Sequence, residues 1–186
     1  NKLITTENKD AEKFDMTSLV KKSDVLDEEI SVYGIADNSN YVKIKKLSSL
    51  KKNEVYISTS FAAKYGLTVG DTVSLDEKYE NKSYKFKVAG FYDKSQSLAL
   101  FMSIDNYGKV FDLKENEFSG FLSDSRITDI DEENIATTIT IRDITKMADQ
   151  LDHSMGSYMN YFQVLCILLA AVMIYLLTVS YTHLTL

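Results

Sequence analysis

The segment SYKFKVAGFYD, Ser83–Asp93, holds the most regular strand pattern in the chain. Tyr84, Phe86 and Val88 alternate with Lys85, Lys87 and Ala89, so one face is predicted buried and the other wet. Immediately upstream, LTVGDTVSL places a turn at Gly70-Asp71 and sets Val73 and Leu75 on one face of a second strand. Before that, STSFAAKYG is predicted as a short helix. It has a hydroxyl N-cap among Ser58 to Ser60 and Gly66 as its stop.

Further out the same β-rich texture continues. EVYIS, Glu54–Ser58, is a short strand, and ISVYGIA, Ile30–Ala36, is the first firm element. The polar run Asp37-Asn38-Ser39-Asn40 is a turn. YVKIKKL, Tyr41–Leu47, is expected as a strand, with Val42 and Ile44 opposed to Lys43 and Lys45. Downstream, SLALFMS is a more fully buried strand, and SIDNYGKVF a helix capped by Ser103 or Asp105. FSGFLSD and TTITI complete a set of about seven strands. Strands dominate and the helices are short. The expected class is therefore α+β, a small, mostly antiparallel sheet domain over residues 30–142. Residues 1–29, opening NKLITTENKDAEKFD, are expected to be a polar lead-in.

Composition narrows the function. The chain has 186 residues and a net charge of −6, which argues against a nucleic-acid partner, since phosphate binding needs a basic face. Cys166 is the single cysteine, so an internal disulfide and a cysteine-based zinc site are excluded. The charges are unevenly spread, and none follows Asp152.

From Asp143 the apolar period shifts from two to about 3.6. Ile144, Met147, Leu151, Met155, Tyr158 and Phe162 recur every three or four residues, which predicts an amphipathic stalk helix over 143–160 with Asp143 as N-cap. It runs straight into YFQVLCILLAAVMIYLLTVS, Tyr161–Ser180. Tyr161–Val179 is uncharged, and at about 1.5 Å per residue a helix of that length covers roughly 28 Å, close to a hydrocarbon core. A transmembrane helix is expected at 161–179. The flank before it lacks Lys and Arg and carries Asp149 and Asp152, which places residues 1–160 on the extracytoplasmic side. The tail VSYTHLTL departs from the basic flank expected after a span and resembles translated sequencing-adapter read-through. Residues 180–186 are read as not native, and the chain, which opens at Asn1, as a fragment.

The run EVYISTSFAAKYGLTVGDTVSL, followed by YKFKVAGFYD and LFMSIDNYGKVF, resembles the extracytoplasmic domain of FtsX/MacB-like ABC transporter permeases. The shared pattern is a V-x-I-S strand, a short helix ending at Gly66-Leu67, VGD at Val69–Asp71, and a strand pair leading to VAG at Val88–Gly90. The order of domain, stalk and membrane helix resembles the family as well. The likeness covers roughly Ile30 to Leu177. It implies a permease subunit of a bacterial cell membrane that hydrolyses nothing itself. Such a subunit works with a cytoplasmic ABC ATPase and dimerises with a like or unlike permease. The alternative is a membrane-anchored extracellular binding or sensor module with no ABC partner. A hydrolase is the third reading.

Residues that carry chemistry are few. Asp152-His153-Ser154 are consecutive on a helix and point in different directions, so they do not form a catalytic triad. DIDEEN, Asp129–Asn134, clusters carboxylates but lacks the spacing of a calcium loop and reads as a solvated turn. GFYD and FSGFLSD place aromatics beside polar turns, where they line either a ligand groove or the core. Asn81-Lys82-Ser83 matches a glycosylation acceptor by spacing alone. The chain is expected to have no catalytic residues, no cofactor and no metal site, and its sequence singles out no ligand-binding residue.

Overall fold

The computed structural model describes residues 4–23, 26–114 and 117–184. The side chains at 148–149, 152–154, 178 and 180–184 lie outside that description. Contacts divide the chain into two units, residues 1–131 and 132–186.

The first unit is α+β. Its strands are β1 (Glu12–Lys21), β2 (Glu28–Ile35), β3 (Glu54–Ser58), β4 (Thr72–Asp76), β5 (Ser83–Tyr92), β6 (Ala99–Ser103) and β7 (Gly120–Leu122). Helix α1 (Thr59–Tyr65) follows β3, and α2 (Ile104–Val110) follows β6. The strands form one mixed sheet in the order β2-β6-β3-β5-β4-β1-β7. The pairs β2–β6 and β3–β5 are parallel, and the others are antiparallel. Because β1 also pairs with β2, the first six strands of that order close into a ring. The seam is narrow: β1 meets β4 at one residue pair, Val20 and Asp76, beside a Lys22–Asp76 ion pair of 3.1 Å.

The alternation in β5 explains the interior. Tyr84, Phe86 and Val88 point in, with Leu19 of β1, Ile30 and Val32 of β2, Val55 and Ile57 of β3, and Leu100 and Met102 of β6. Phe61 of α1 and Tyr107 and Val110 of α2 complete this cluster. The opposite face carries a second cluster in which Ile44 and Leu47 cover Ile35, Ala99 and Phe101. All five residues of β6 are buried, since both of its faces are packed.

The caps follow the sequence. Ser58 starts α1, its Oγ accepting from the Phe61 N–H, and Gly66 ends it in the left-handed region at φ 63°. Ser103, not Asp105, caps α2 by accepting from Asn106 N–H. Gly70 turns the chain at φ 99° into β4.

Three expectations are corrected. Residues 12–21, read as part of a lead-in over 1–29, form β1, a ten-residue strand inside the ring that pairs with β2, β4 and β7. YVKIKKL is not a strand. Ser39 Oγ accepts from the N–H groups of Tyr41 and Val42, and Lys46 adopts φ 63°, so the segment turns and drops Ile44 and Leu47 onto the second cluster. TTITI is not a strand either: Thr137–Thr140 are irregular, and Ile141 begins a helix.

In the second unit, α3 runs from Ile141 to Leu184 without interruption, 44 residues. Its N-terminus is a reciprocal cap one turn earlier than Asp143. Thr140 Oγ1 accepts from Asp143 N–H at 3.3 Å, and the Asp143 carboxylate accepts from Thr140 N–H at 2.9 Å and from Thr140 Oγ1 at 2.6 Å. These bonds hold the Asp143 carboxyl below its ordinary value. Within α3, Met155–Leu177 is long and apolar enough to cross a membrane, 23 residues with none of the most apolar stretch buried. At about 1.5 Å per residue this spans roughly 35 Å.

Candidate functional site

A cavity of 280 Å³ opens where β1, the end of α2 and the entry to β7 meet. Its floor is Asp15 and Tyr107, each 3% exposed, with Thr17 beside them. Met16, Glu117 and Ser119 form an exposed rim, and Phe111, Leu113 and Phe118 the apolar wall. A broader cleft of 830 Å³ shares Asp15, Leu113, Glu117 and Phe118 and adds Lys13, Lys52, Lys109 and Lys114.

The backbone explains why a carboxylate faces inward here. On β1 the inward phase is Asp15, Thr17, Leu19, and the outward phase includes Phe14, which packs on the second cluster. Asp15 is therefore the first buried inward position after β1 begins at Glu12. Ser119 holds it: its N–H donates to Asp15 Oδ1 at 2.9 Å, and its Oγ approaches the same oxygen at 3.3 Å. Ser119 Oγ in turn accepts from Met16 N–H at 2.9 Å, which ties β1 to the start of β7. Burial pushes the Asp15 carboxyl above its ordinary value, and the Ser119 bonds only partly oppose that. Burial, followed by the nearby Asp15 charge, pushes the Tyr107 hydroxyl strongly up. Tyr107 cannot retreat. Its ring packs against Phe111 at a 45° tilt, centroids 4.5 Å apart, and its Cβ lies over Gly34, where an added Cβ would come within 2.7 Å.

The constellation brings a buried carboxylate, a hydroxyl and aromatic surface to one opening. Ser119 Oγ lies against the Asp15 carboxylate, and among the described residues no group of three or more His, Cys, Asp or Glu is placed to hold a metal. Of the aromatics singled out in sequence, Phe118 lines the cavity, with Lys13 Nζ 4.6 Å from its ring centroid and Phe121 4.8 Å away edge-on. Tyr92 instead packs on the second cluster, and Phe91 is exposed.

No family model matches the chain. No curated protein matches it. Among solved structures it is similar to the extracellular domain of the noncanonic ABC-type transporter YknZ from Gram-positive bacteria. The identity is 18% and the TM-score 0.45, over 67% of this chain and 76% of that one.

The remaining sequence features fall elsewhere. Asp129, at the head of DIDEEN, accepts from Glu7 N–H at 2.6 Å and Thr6 Oγ1 at 2.8 Å, which fastens the N-terminal segment to the domain. Ser83 Oγ is bonded to Asp76 in the β4–β5 hairpin. Cys166 is an exposed free thiol on α3. The side chains of Asp152, His153, Ser154 and His183 lie outside the described residues. Sequence reasoning missed Asp15 because the segment holding it was read as lead-in. The available signal was the density of β-formers in FDMTSLV, masked by the charges on either side.

Proposed function

We propose that the chain is the extracytoplasmic domain, stalk and adjoining membrane span of an ABC transporter permease subunit in a bacterial cell membrane. The domain would couple binding of a substrate or partner to movement of the membrane helices, driven by a cytoplasmic ATPase. Residues 1–160 would lie outside, and the subunit would work as a dimer. The carrying observation is the unbroken helix α3, in which the amphipathic stripe and the candidate span are one rigid element. A continuous helix transmits displacement along its axis, whereas a flexible linker would dissipate it. The V-x-I-S, VGD and VAG pattern, now placed on β3, the turn before β4 and β5, supports the same reading.

The test uses the full-length protein in its native membrane. A cytoplasmic ABC ATPase is expected to co-purify with it. Met147→Asp with Leu151→Asp is expected to abolish transport or signalling while leaving the melting temperature of the domain unchanged. Wild-type activity in that double variant would sink the coupling role. The second reading, an anchored binding module with no ABC partner, rests on the Asp15 cavity, which needs no ATPase to be useful. Absence of any ATPase partner together with retained ligand binding would favour it.

A further inference from the structure

We propose that the cavity floored by Asp15 and Tyr107 is a binding site for a small organic cation, with an alkylammonium group seated against the Asp15 carboxylate. The inference concerns ligand chemistry and stands whether or not an ATPase is coupled to the domain.

The first argument is the charge balance. The residues lining the cavity include two carboxylates, Asp15 and Glu117, and no Lys, Arg or His, although both carboxylates also border the adjoining cleft that carries Lys13, Lys52, Lys109 and Lys114. Asp15 is 3% exposed, and its hydrogen bonds come from Ser119, a neutral donor, both on Oδ1. Among the described residues, ion pairs form at Lys22, Lys64, Lys78 and Lys82, and none reaches Asp15. A buried carboxylate without a counter-ion is costly unless it is protonated or a cation reaches it. The second argument is shape. The carboxylate faces a space of 280 Å³, open to solvent between Met16, Glu117 and Ser119, large enough for a short-chain amine. The third is the wall. Tyr107, Phe111 and Phe118 offer aromatic surface, which attracts cations through ring faces. Lys13 already stacks over Phe118 from the neighbouring cleft, so this ring takes a cation in the free protein. Ammonium N–H groups suit the carboxylate and the Ser119 and Thr17 hydroxyls, while the alkyl chain suits Leu113 and the rings.

The experiment is calorimetric titration of the full chain in phosphatidylcholine nanodiscs, whose neutral lipid does not recruit amines. The probes are n-butylammonium and its neutral isostere 1-butanol, each against wild type, Asp15→Asn and Glu117→Gln. Saturable binding of n-butylammonium is expected, at least about tenfold tighter than 1-butanol, with Asp15→Asn erasing the difference. Glu117→Gln, at the exposed rim, is expected to weaken the ammonium severalfold and leave the alcohol unchanged. It decides the matter if Asp15→Asn does not fold. Three outcomes overturn the proposal: no saturable ammonium binding, an alcohol that binds as well, or folded variants that keep full ammonium affinity. None involves transport or an ATPase, so failure here is distinct from failure of the permease reading.

Discussion

Asp15 sets a carboxylate beside Thr17 and Leu19 on the inward face of β1, and its energetic signature is a pH dependence. Burial raises its folded-state pKa above the ordinary 3.8, so folding takes up a proton at this site. Its contribution is most favourable below that ordinary value and is lost as pH rises through the folded pKa. Asp15→Asn keeps an acceptor for Ser119 and removes the charge. Relative to wild type, the variant is expected to gain stability as pH rises from about 4 through the raised folded pKa and to keep that gain above it, measured by thermal melts between about pH 4 and 7. A constant offset would contradict the account. Two glycines make a second residue-scale test. An alanine Cβ at Gly34 would sit 2.7 Å from Cβ and Cγ of buried Tyr107, atoms fixed by the α2 backbone. At Gly90 it would meet Cε1 of the half-buried Tyr56 at 2.5 Å, the far part of a ring that can swing. Gly34→Ala is therefore expected to cost more than Gly90→Ala, both within about 1–3 kcal/mol or somewhat above for the first. Asp15 was not legible in sequence, because an inward charge inverts the pattern by which strands are recognised.

Two serines that look alike in sequence do different work in their elements. Ser58 Oγ accepts from Phe61 N–H of α1 and from Ala99 N–H of β6, both at 3.2 Å, in a fully buried position. Ser103 Oγ accepts only from Asn106 N–H of its own helix among the described contacts. Ser58→Ala strands two donors and is expected to cost about 2–3 kcal/mol, against about 1 kcal/mol for Ser103→Ala. Urea unfolding followed by tyrosine fluorescence checks this, the chain having no tryptophan. Equal losses would show that the link to β6 contributes little. Caps and turns were readable because Ser, Gly and Asp act locally. YVKIKKL misled because its alternation is real but serves a turn. Ile44 and Leu47 are buried by a left-handed Lys46, a conformation no period reveals. TTITI misled because Thr140 and Asp143 make a cap, and a cap outranks the β-propensity of three residues before it.

For the molecule as a whole, the candidate span carries its own depth marker. Cys166 is the sole cysteine and lies midway along Met155–Leu177. If that segment crosses a bilayer, a charged maleimide is expected to leave Cys166 unlabelled in intact proteoliposomes and to label it fully once the membrane is dissolved. Rapid labelling in intact vesicles would place the segment in water. The long apolar helix was plain from sequence, since its signal is composition. The ring of strands was not, because closure depends on pairings between distant segments that no local pattern encodes.

That narrow seam between β1 and β4 bears on how the domain is made. β1 and β2 are neighbours in the chain and pair from Phe14–Ile35 to Lys21–Glu28, a hairpin that can form before the later strands are present. The other edge of β1 must wait for Asp76, and its first residues for Leu122 near the end of the domain. Until then the nascent hairpin offers an open edge to any other chain in the same state. Among the described strands, β1 thus precedes all its partners in the chain and is fully enclosed only when the most distant of them, β7, is in place.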